Sequence, residues 1–236
     1  MLTKLKSGRL PAKYFHVVGL LIAVLSPTDG KAATPDRLIS LMQAARGSSC
    51  FLSPSRPATT ETLPSSVVGA AFQGEASAMY RLAEAYLGDQ LSGPSGKQAL
   101  PWFERAATAG QVVAAADVGR IYAAGRGMPA DPKQAFAWWM FGATRGDPRS
   151  MACVSVSYLL GYGVLVDTVE AARWAILRDA ASAGQTLLGP STADMERALP
   201  ASEMLAARRR AMEMLEPTPP PQRDAPLPGA AVTGVS

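Results

Sequence analysis

The chain has 236 residues, 48% of them hydrophobic and 18% charged, which is enough to bury a core as one or two domains. It carries 23 basic and 19 acidic side chains, but five of the basic and one of the acidic ones lie in the first 32 positions, leaving 18 of each. This balance argues against a basic surface for nucleic acid, so we expect no nucleic-acid partner.

Residues 1–33 have the order of regions that is typical of a secretory signal peptide. Lysines and an arginine precede the apolar run "YFHVVGLLIAVL", and the small-residue stretch "SPTDGKAA" follows it. An apolar run of about 12 residues is short for a membrane span of about 20. We therefore predict cleavage near Ala32 or Ala33 and a periplasmic or secreted protein. The alternative is an uncleaved anchor in the inner membrane, with the rest of the chain facing the periplasm and no other membrane contact.

The only histidine, His16, lies in this same segment. After cleavage the chain would have no imidazole for a general base, for a Ser-His or Cys-His pair, or for a metal ligand. We expect no catalytic residue, no cofactor and no metal site.

Residues 34–66 are predicted to form a helix and a linker. In "TPDRLISLMQAARG", Thr34 is a suitable N-cap, Pro35 suits the first helical position and Gly47 ends the helix. The following stretch "SSCFLSPSRPATTETLPSS" is rich in Ser, Thr and Pro, which is typical of a linker or an irregular loop.

A 36-residue period organises residues 67–215. The period brings into register the residues Tyr86, Tyr122 and Tyr158, and also Trp102, Trp138 and Trp174. Three helix–loop–helix units follow from it, at about residues 76–110, 112–146 and 148–184.

Each unit repeats the same local signals. A capping side chain precedes every second helix, with Gln or Glu three residues later: the pairs are Ser95 and Gln98, Asp131 and Gln134, and Asp167 and Glu170. Small residues within the helices are predicted to allow close helix packing; they are Ala83, Gly119, Ala135 and Ala171.

Both ends of the array carry further predicted elements. The stretch "VVGAAFQG" ends one period before Gly110 and indicates the second helix of a degenerate leading repeat. The stretch "TADMERALPASEMLAARRRAMEML" predicts a short helix, a break at Leu199-Pro200 and a longer capping helix. Residues 216–236 are Pro-rich and are predicted to be disordered.

The repeated pattern resembles the Sel-1-like repeat, an α/α relative of the tetratricopeptide repeat. The middle unit carries the resemblance best, through Ala114, Val118, Gly119, Tyr122, Gly125, Gly127, Asp131, Gln134, Ala135, Trp138, Ala143 and Gly146. The first unit departs from it with "GDQLSGPSG", and the third with Cys153 and Ser155. The resemblance implies an all-α fold, an α/α solenoid of about three Sel-1-like repeats with a C-terminal capping helix. It also implies an adaptor that binds proteins and brings no reaction with it.

The resemblance places candidate binding residues on the first helices, which line the concave face of such arrays. Arg81 and Glu84 in the first unit and Asp117 and Arg120 in the second occupy identical register positions outside the core stripe. The competing interpretation is a solvated face with intrahelical ion pairs.

The two adjacent residues Trp138 and Trp139 are predicted to have different roles. Trp138 is in register with the other repeat tryptophans and is predicted to belong to the core. Trp139, whose equivalents are Phe103 and Ala175, is a candidate for binding a ligand.

The two cysteines also allow two interpretations. Cys153 occupies the register position of Arg81 and Asp117, and Cys50 is its only candidate partner. In an oxidising compartment two cysteines commonly form a disulfide; the alternative is two unpaired or buried thiols.

We therefore expect a non-catalytic scaffold or adaptor of the bacterial cell envelope, with a protein partner on the concave face. An alternative is a carbohydrate-binding accessory factor of envelope polysaccharide export, which is favoured if Trp139, Phe103 and the arginines share an exposed groove. A remote alternative is a β-lactam-binding enzyme, as suggested for cysteine-rich relatives of the repeat; the two cysteines and the lack of Ser-x-x-Lys argue against it.

Overall fold

The computed structural model describes residues 34–48, 50–51, 63–88, 95–182 and 189–215. The predicted signal peptide or anchor at residues 1–33, most of the Ser/Thr/Pro-rich linker and the Pro-rich tail at 216–236 lie outside these residues.

Within the described residues every regular element is a helix, which confirms the all-α prediction. The helices are α1 (Pro35–Arg46), α2 (Ser65–Phe72), α3 (Ala76–Gly88), α4 (Ser95–Thr108), α5 (Ala114–Ala124), α6 (Pro132–Ala143), α7 (Pro148–Leu160), α8 (Thr168–Ala181), α9 (Thr192–Ala198) and α10 (Ala201–Leu215).

Three helix pairs form the array, namely α3 with α4, α5 with α6, and α7 with α8, and each pair packs against the next. Capping residues start the second helices of the second and third repeats as predicted: the Asp131 carboxylate accepts hydrogen bonds from the backbone N–H groups of Lys133 and Gln134, and Asp167 accepts one from Glu170. The helices α5 and α7 end in left-handed glycines, Gly125 and Gly161, because a chain reversal there needs a positive φ.

Small residues let the paired helices approach closely, as predicted. Ala83, Ala135 and Ala171 are fully buried. A Cβ atom added to Gly119 would lie 2.2 Å from Nε1 of Trp139, so only glycine fits between α5 and α6 at this point.

The first helices of the second and third repeats, α5 and α7, contact each other directly. This contact agrees with the arrangement that the resemblance implies, in which the first helices line the concave face.

Both predicted end elements are present. Helix α2 packs against α3 as the second helix of a degenerate leading repeat. Helix α10 packs against α8 through Met204, Ala207 and Ala211, whereas Leu205 and Met212 remain about three-fifths exposed at 61% and 62%. Helix α10 therefore closes the array with a narrow stripe of small and apolar residues.

The N-terminal helix α1 has a place that the local sequence does not predict. It packs against α7 and α9, and it buries Leu38, Leu41 and Met42 in a cluster that includes Val156 and Leu159. Thr34 is its N-cap residue, but the Thr34 hydroxyl makes no capping hydrogen bond. Helix α1 thus lies across the concave face at the third repeat.

Candidate partner-binding face

Two register positions on the first helices define the candidate face. They are occupied by Arg81 and Glu84 in the first repeat, by Asp117 and Arg120 in the second, and by Cys153 and Val156 in the third. Residues three apart on a helix share one side, so each pair points in the same direction from its helix.

In the third repeat a segment of the chain itself already covers these positions. Cys153 forms a disulfide with Cys50, with a Cα–Cα distance of 5.4 Å, and Val156 is fully buried in the cluster that contains α1. Phe51 adds an aromatic contact, since its ring centroid lies 6.1 Å from that of Trp139 and 4.9 Å from that of Tyr162. The concave face of the third repeat therefore holds a polypeptide segment, residues 34–51.

In the second repeat Asp117 lies at the centre of a polar network. It is only 7% exposed, and its carboxylate accepts hydrogen bonds from the Tyr80 hydroxyl at 3.1 Å, from Arg120 Nη1 at 3.0 Å and from Arg149 Nη2 at 3.4 Å. Tyr80 belongs to the first repeat and Arg149 to the third. One buried carboxylate thus links three successive first helices.

The network perturbs the groups around it. Burial raises the pKa of the Tyr80 hydroxyl, and the charges of Asp117 and Glu84 raise it further. Burial lowers the pKa of the Arg120 guanidinium; the charge of Asp117 opposes this effect, and the charges of Arg149 and Arg126 add to it. Arg120 therefore lies beside other cations as well as beside its carboxylate partner.

Arg149 is a site residue that the register analysis missed. It stands in the first turn of α7, where the helix dipole disfavours a cation, and this local conflict is the sequence signal that could have found it. Its guanidinium donates to the Val113 carbonyl at 2.6 Å and lies 3.9 Å from the buried Asp147 carboxylate. Burial alone would lower the pKa of Arg149, but the charges of Asp117, Tyr80 and Asp147 raise it overall.

The first repeat presents the accessible part of the face. Arg81 is exposed and Glu84 is half-buried on α3. The structure thus joins Asp117 directly to Arg120, with Arg81 and Glu84 on the neighbouring helix. The Asp117–Arg120 pair is an intrahelical ion pair of the kind that the competing interpretation expects, whereas the burial of Asp117 differs from the solvated face that this interpretation assumes.

The structure corrects the prediction that Trp139 binds a ligand. Trp139 is fully buried, and its Nε1 donates to the Ala116 carbonyl at 3.3 Å. Phe103, its equivalent in the first repeat, is also buried. Gly119 has no side chain and leaves a space beside it. The indole ring of Trp139 fills that space in the interior. The exposed groove of Trp139 and Phe103 that would favour carbohydrate binding is therefore absent.

The burial of the tryptophan at the Trp138 register position differs from one repeat to the next. Trp174 is buried as predicted, whereas Trp102 and Trp138 are half-buried at the edge of the core. Phe72 covers the Trp102 ring with a centroid distance of 5.1 Å, and Phe141 lies 5.5 Å from Trp138.

Neither a metal site nor a spanning helix is found in the described part of the chain. No three His, Cys, Asp or Glu side chains there converge as metal ligands would. None of the helices described above combines the length and the apolar character that crossing a bilayer requires.

Comparisons with known proteins agree with this architecture. The family profile described as Sel1 repeat matches residues 76–111, 112–147 and 150–177. A search of curated proteins found no match.

Two solved structures are similar to the chain. One is c5321, described as a protective antigen of uropathogenic Escherichia coli strains that displays an SLR fold; the TM-score is 0.53 at 24% identity, over 64% of this chain and 32% of that one. The other is a Sel1 repeat protein from Oxalobacter formigenes, with a TM-score of 0.45 at 28% identity, over 63% of this chain and 96% of that one. The chain thus spans about a third of the first of these proteins, which shows the fold alone.

Proposed function

We propose, on the premise that this chain is a Sel1 repeat protein, that it is a non-catalytic scaffold that holds a protein partner on the concave face of its first two repeats. Sel1 repeats generally mediate protein–protein interactions. The partner would contact the face around Arg81, Glu84 and Arg120.

One observation carries this proposal: the third repeat already holds a polypeptide at the equivalent positions. Cys153 and Val156 are covered by residues 34–51, whereas Arg81 is exposed and Glu84 and Arg120 are only partly buried. Because the repeats share one geometry, a face that accommodates a helical segment in one repeat offers a similar surface in its neighbours.

We also propose that the protein works in the cell envelope, exported to the periplasm or beyond. The support is the tripartite pattern of residues 1–33 together with the Cys50–Cys153 disulfide, since disulfides persist in oxidising compartments. Retention of the N-terminal segment as an inner-membrane anchor would leave the same face in the periplasm.

Site-specific photo-crosslinking in cells tests the scaffold proposal. A photoreactive amino acid replaces Arg81 on α3 in one variant and Gln98, an exposed residue of the second helix α4, in the matched control. We expect a discrete crosslinked species from position 81 and none from position 98. The same species from both positions, or from position 98 alone, would show that the partner does not use the concave face.

A further inference from the structure

We infer that the concave face of the first two repeats recognises carboxylate groups, so that its partner is an acidic polypeptide segment. This inference rests on the proposed function and adds the chemistry of the partner.

The arginines of this face outnumber the carboxylates that can neutralise them. Arg120 and Arg149, the latter at the start of the third repeat, share the carboxylate of Asp117 at 3.0 and 3.4 Å, and Arg149 also lies 3.9 Å from Asp147. Arg126 lies close enough to repel Arg120, and Arg81 is exposed on the neighbouring helix.

The other acidic groups nearby are already engaged. Asp147 is buried and accepts from both the backbone N–H and the hydroxyl of Ser150. Glu84 faces Tyr80 and has interactions of its own. Within the described residues, the ion pair of Arg120 is therefore the one with Asp117.

Arg120 also carries an unused hydrogen-bond donor. Its Nε is buried and has no hydrogen-bond acceptor in the described part of the chain, although Nη1 donates to Asp117. A buried N–H group without an acceptor is unfavourable, so Asp117 satisfies the Arg120 guanidinium only in part. Guanidinium groups bind carboxylates through paired, charge-assisted hydrogen bonds, which makes carboxylate the matching ligand chemistry.

The neighbouring repeat indicates that the carboxylates belong to a polypeptide. Residues 34–48 and 50–51 already lie against the same register positions at the third repeat, so a chain on the first two repeats would occupy the positions next to a bound segment. The third repeat binds its segment through Val156 and the disulfide, whereas the first two offer arginines. The two parts of the face therefore select different segments.

Fluorescence anisotropy with a fluorescein-labelled, amidated hexaglutamate peptide tests the inference on the full chain with its disulfide intact. Hexaserine and hexalysine peptides serve as matched probes. We expect hexaglutamate to bind, more weakly as salt is raised, and the other two peptides not to bind. No binding of hexaglutamate up to about 1 mM would overturn the inference.

Three variants localise the binding. We expect Arg120→Gln to weaken hexaglutamate binding about tenfold and Arg126→Gln to weaken it several-fold. Arg105→Gln, at an exposed arginine of the second helix α4, is the matched control and should change nothing. Among the described residues Arg126 forms no ion pair, so Arg126→Gln keeps the test valid if Arg120→Gln fails to fold. Equal losses in all three variants would overturn the inference.

Two further outcomes separate the alternatives. Inorganic tripolyphosphate is tested as a competitor of the labelled peptide. If it displaces that peptide at a lower concentration than unlabelled hexaglutamate does, the site binds anions in general and the acidic-peptide inference is overturned. Crosslinks from position 81 without hexaglutamate binding would overturn this inference alone, while crosslinks confined to position 98 would overturn the scaffold proposal.

Discussion

At the scale of single residues, close packing decides what each position of the repeat tolerates. Gly119 is the clearest case, because the indole of Trp139 occupies the space that any side chain on Gly119 would need. Asp117 shows the polar counterpart: its carboxylate is buried and its charge is balanced only by groups from three different helices. A residue of this kind holds the face in shape and is a poor point for a partner to bind.

Two glycine substitutions test this packing against helix propensity. We expect Gly119→Ala to lower the free energy of unfolding by about 2 kcal/mol, because the new Cβ would meet Trp139. Gly69→Ala in α2 is the matched control, since nothing lies within 4 Å of its Cβ position, and it should raise stability by up to about 1 kcal/mol. Urea denaturation measures both; a stabilising Gly119→Ala would contradict the contact.

At the scale of elements, α1 is a helix whose stability depends on contacts far away in the sequence. Its buried residues meet α7 and α9, and the disulfide that follows it closes a separation of 103 residues. Every residue of helix α7 from Ser150 to Ser157 is consequently buried. The hydroxyls of its serines make their hydrogen bonds with groups inside the protein. Ser155, for example, donates to the Ala171 carbonyl at 2.7 Å, which explains a polar residue where the repeat pattern has a small apolar one.

Removal of the disulfide tests how α1 is held. The Cys50→Ala/Cys153→Ala variant should lose about 4 kcal/mol of unfolding free energy on the chain-entropy estimate. Trypsin should also cleave after Arg37 and Arg46 faster than in the oxidised protein, because α1 detaches more often. Wild-type protein treated with a reductant is the control and should behave like the variant. Unchanged cleavage in both would show that apolar packing alone holds the helix.

The start of α9 should make stability sensitive to acid. Burial would raise the pKa of Asp194, but hydrogen bonds from Ser191 and the charge of Arg197 lower it overall; Thr192 and Arg178 do the same for Asp179. A carboxyl whose folded pKa is depressed stabilises the protein above its ordinary pKa of 3.8, and this stability is lost as the pH falls through the folded value.

An Asp194→Asn variant checks this contribution by urea denaturation at several pH values. It should be less stable than wild type at neutral pH and should lose less stability between about pH 5 and pH 2. Glu213→Gln, at an exposed position of α10, is the control and should keep the wild-type slope. An Asp194→Asn curve parallel to that of wild type would contradict the assignment.

At the scale of the whole molecule, the two ends of the solenoid differ in how well they are covered. Among the described elements, the third repeat packs against α1, α9 and α10 as well as the second repeat, whereas the first repeat has α2 alone on its outer side. Repeat arrays are stabilised by contacts between neighbours, so stability should rise toward the third repeat. The accessible, less covered repeats are also the ones we propose for partner binding.

Hydrogen–deuterium exchange measures this gradient. Backbone amides of α7 should exchange most slowly and those of α2 and α3 most rapidly, because local opening follows the number of packed neighbours. Reduction of the disulfide should speed exchange in α7 and leave α3 unchanged. Uniform protection along the array would mean that the repeats open as one cooperative unit.

The sequence by itself determined the elements and their order. The 36-residue spacing of Tyr86, Tyr122 and Tyr158 and the caps at Asp131 and Asp167 are local signals, and a period repeated three times fixes the register of a solenoid without any long-range information. The register also located Asp117, Arg120 and Cys153 on one face.

Only the tertiary structure decided what that face contains. Whether Trp139 points inward depends on the space above Gly119. The polar network around Asp117 depends on hydrogen bonds from Tyr80 and Arg149, which belong to other repeats. The place of α1 and the Cys50–Cys153 bond join segments 103 residues apart. A repeat period describes contacts between equivalent positions, so it carries no information about a segment outside the repeats that folds back onto them.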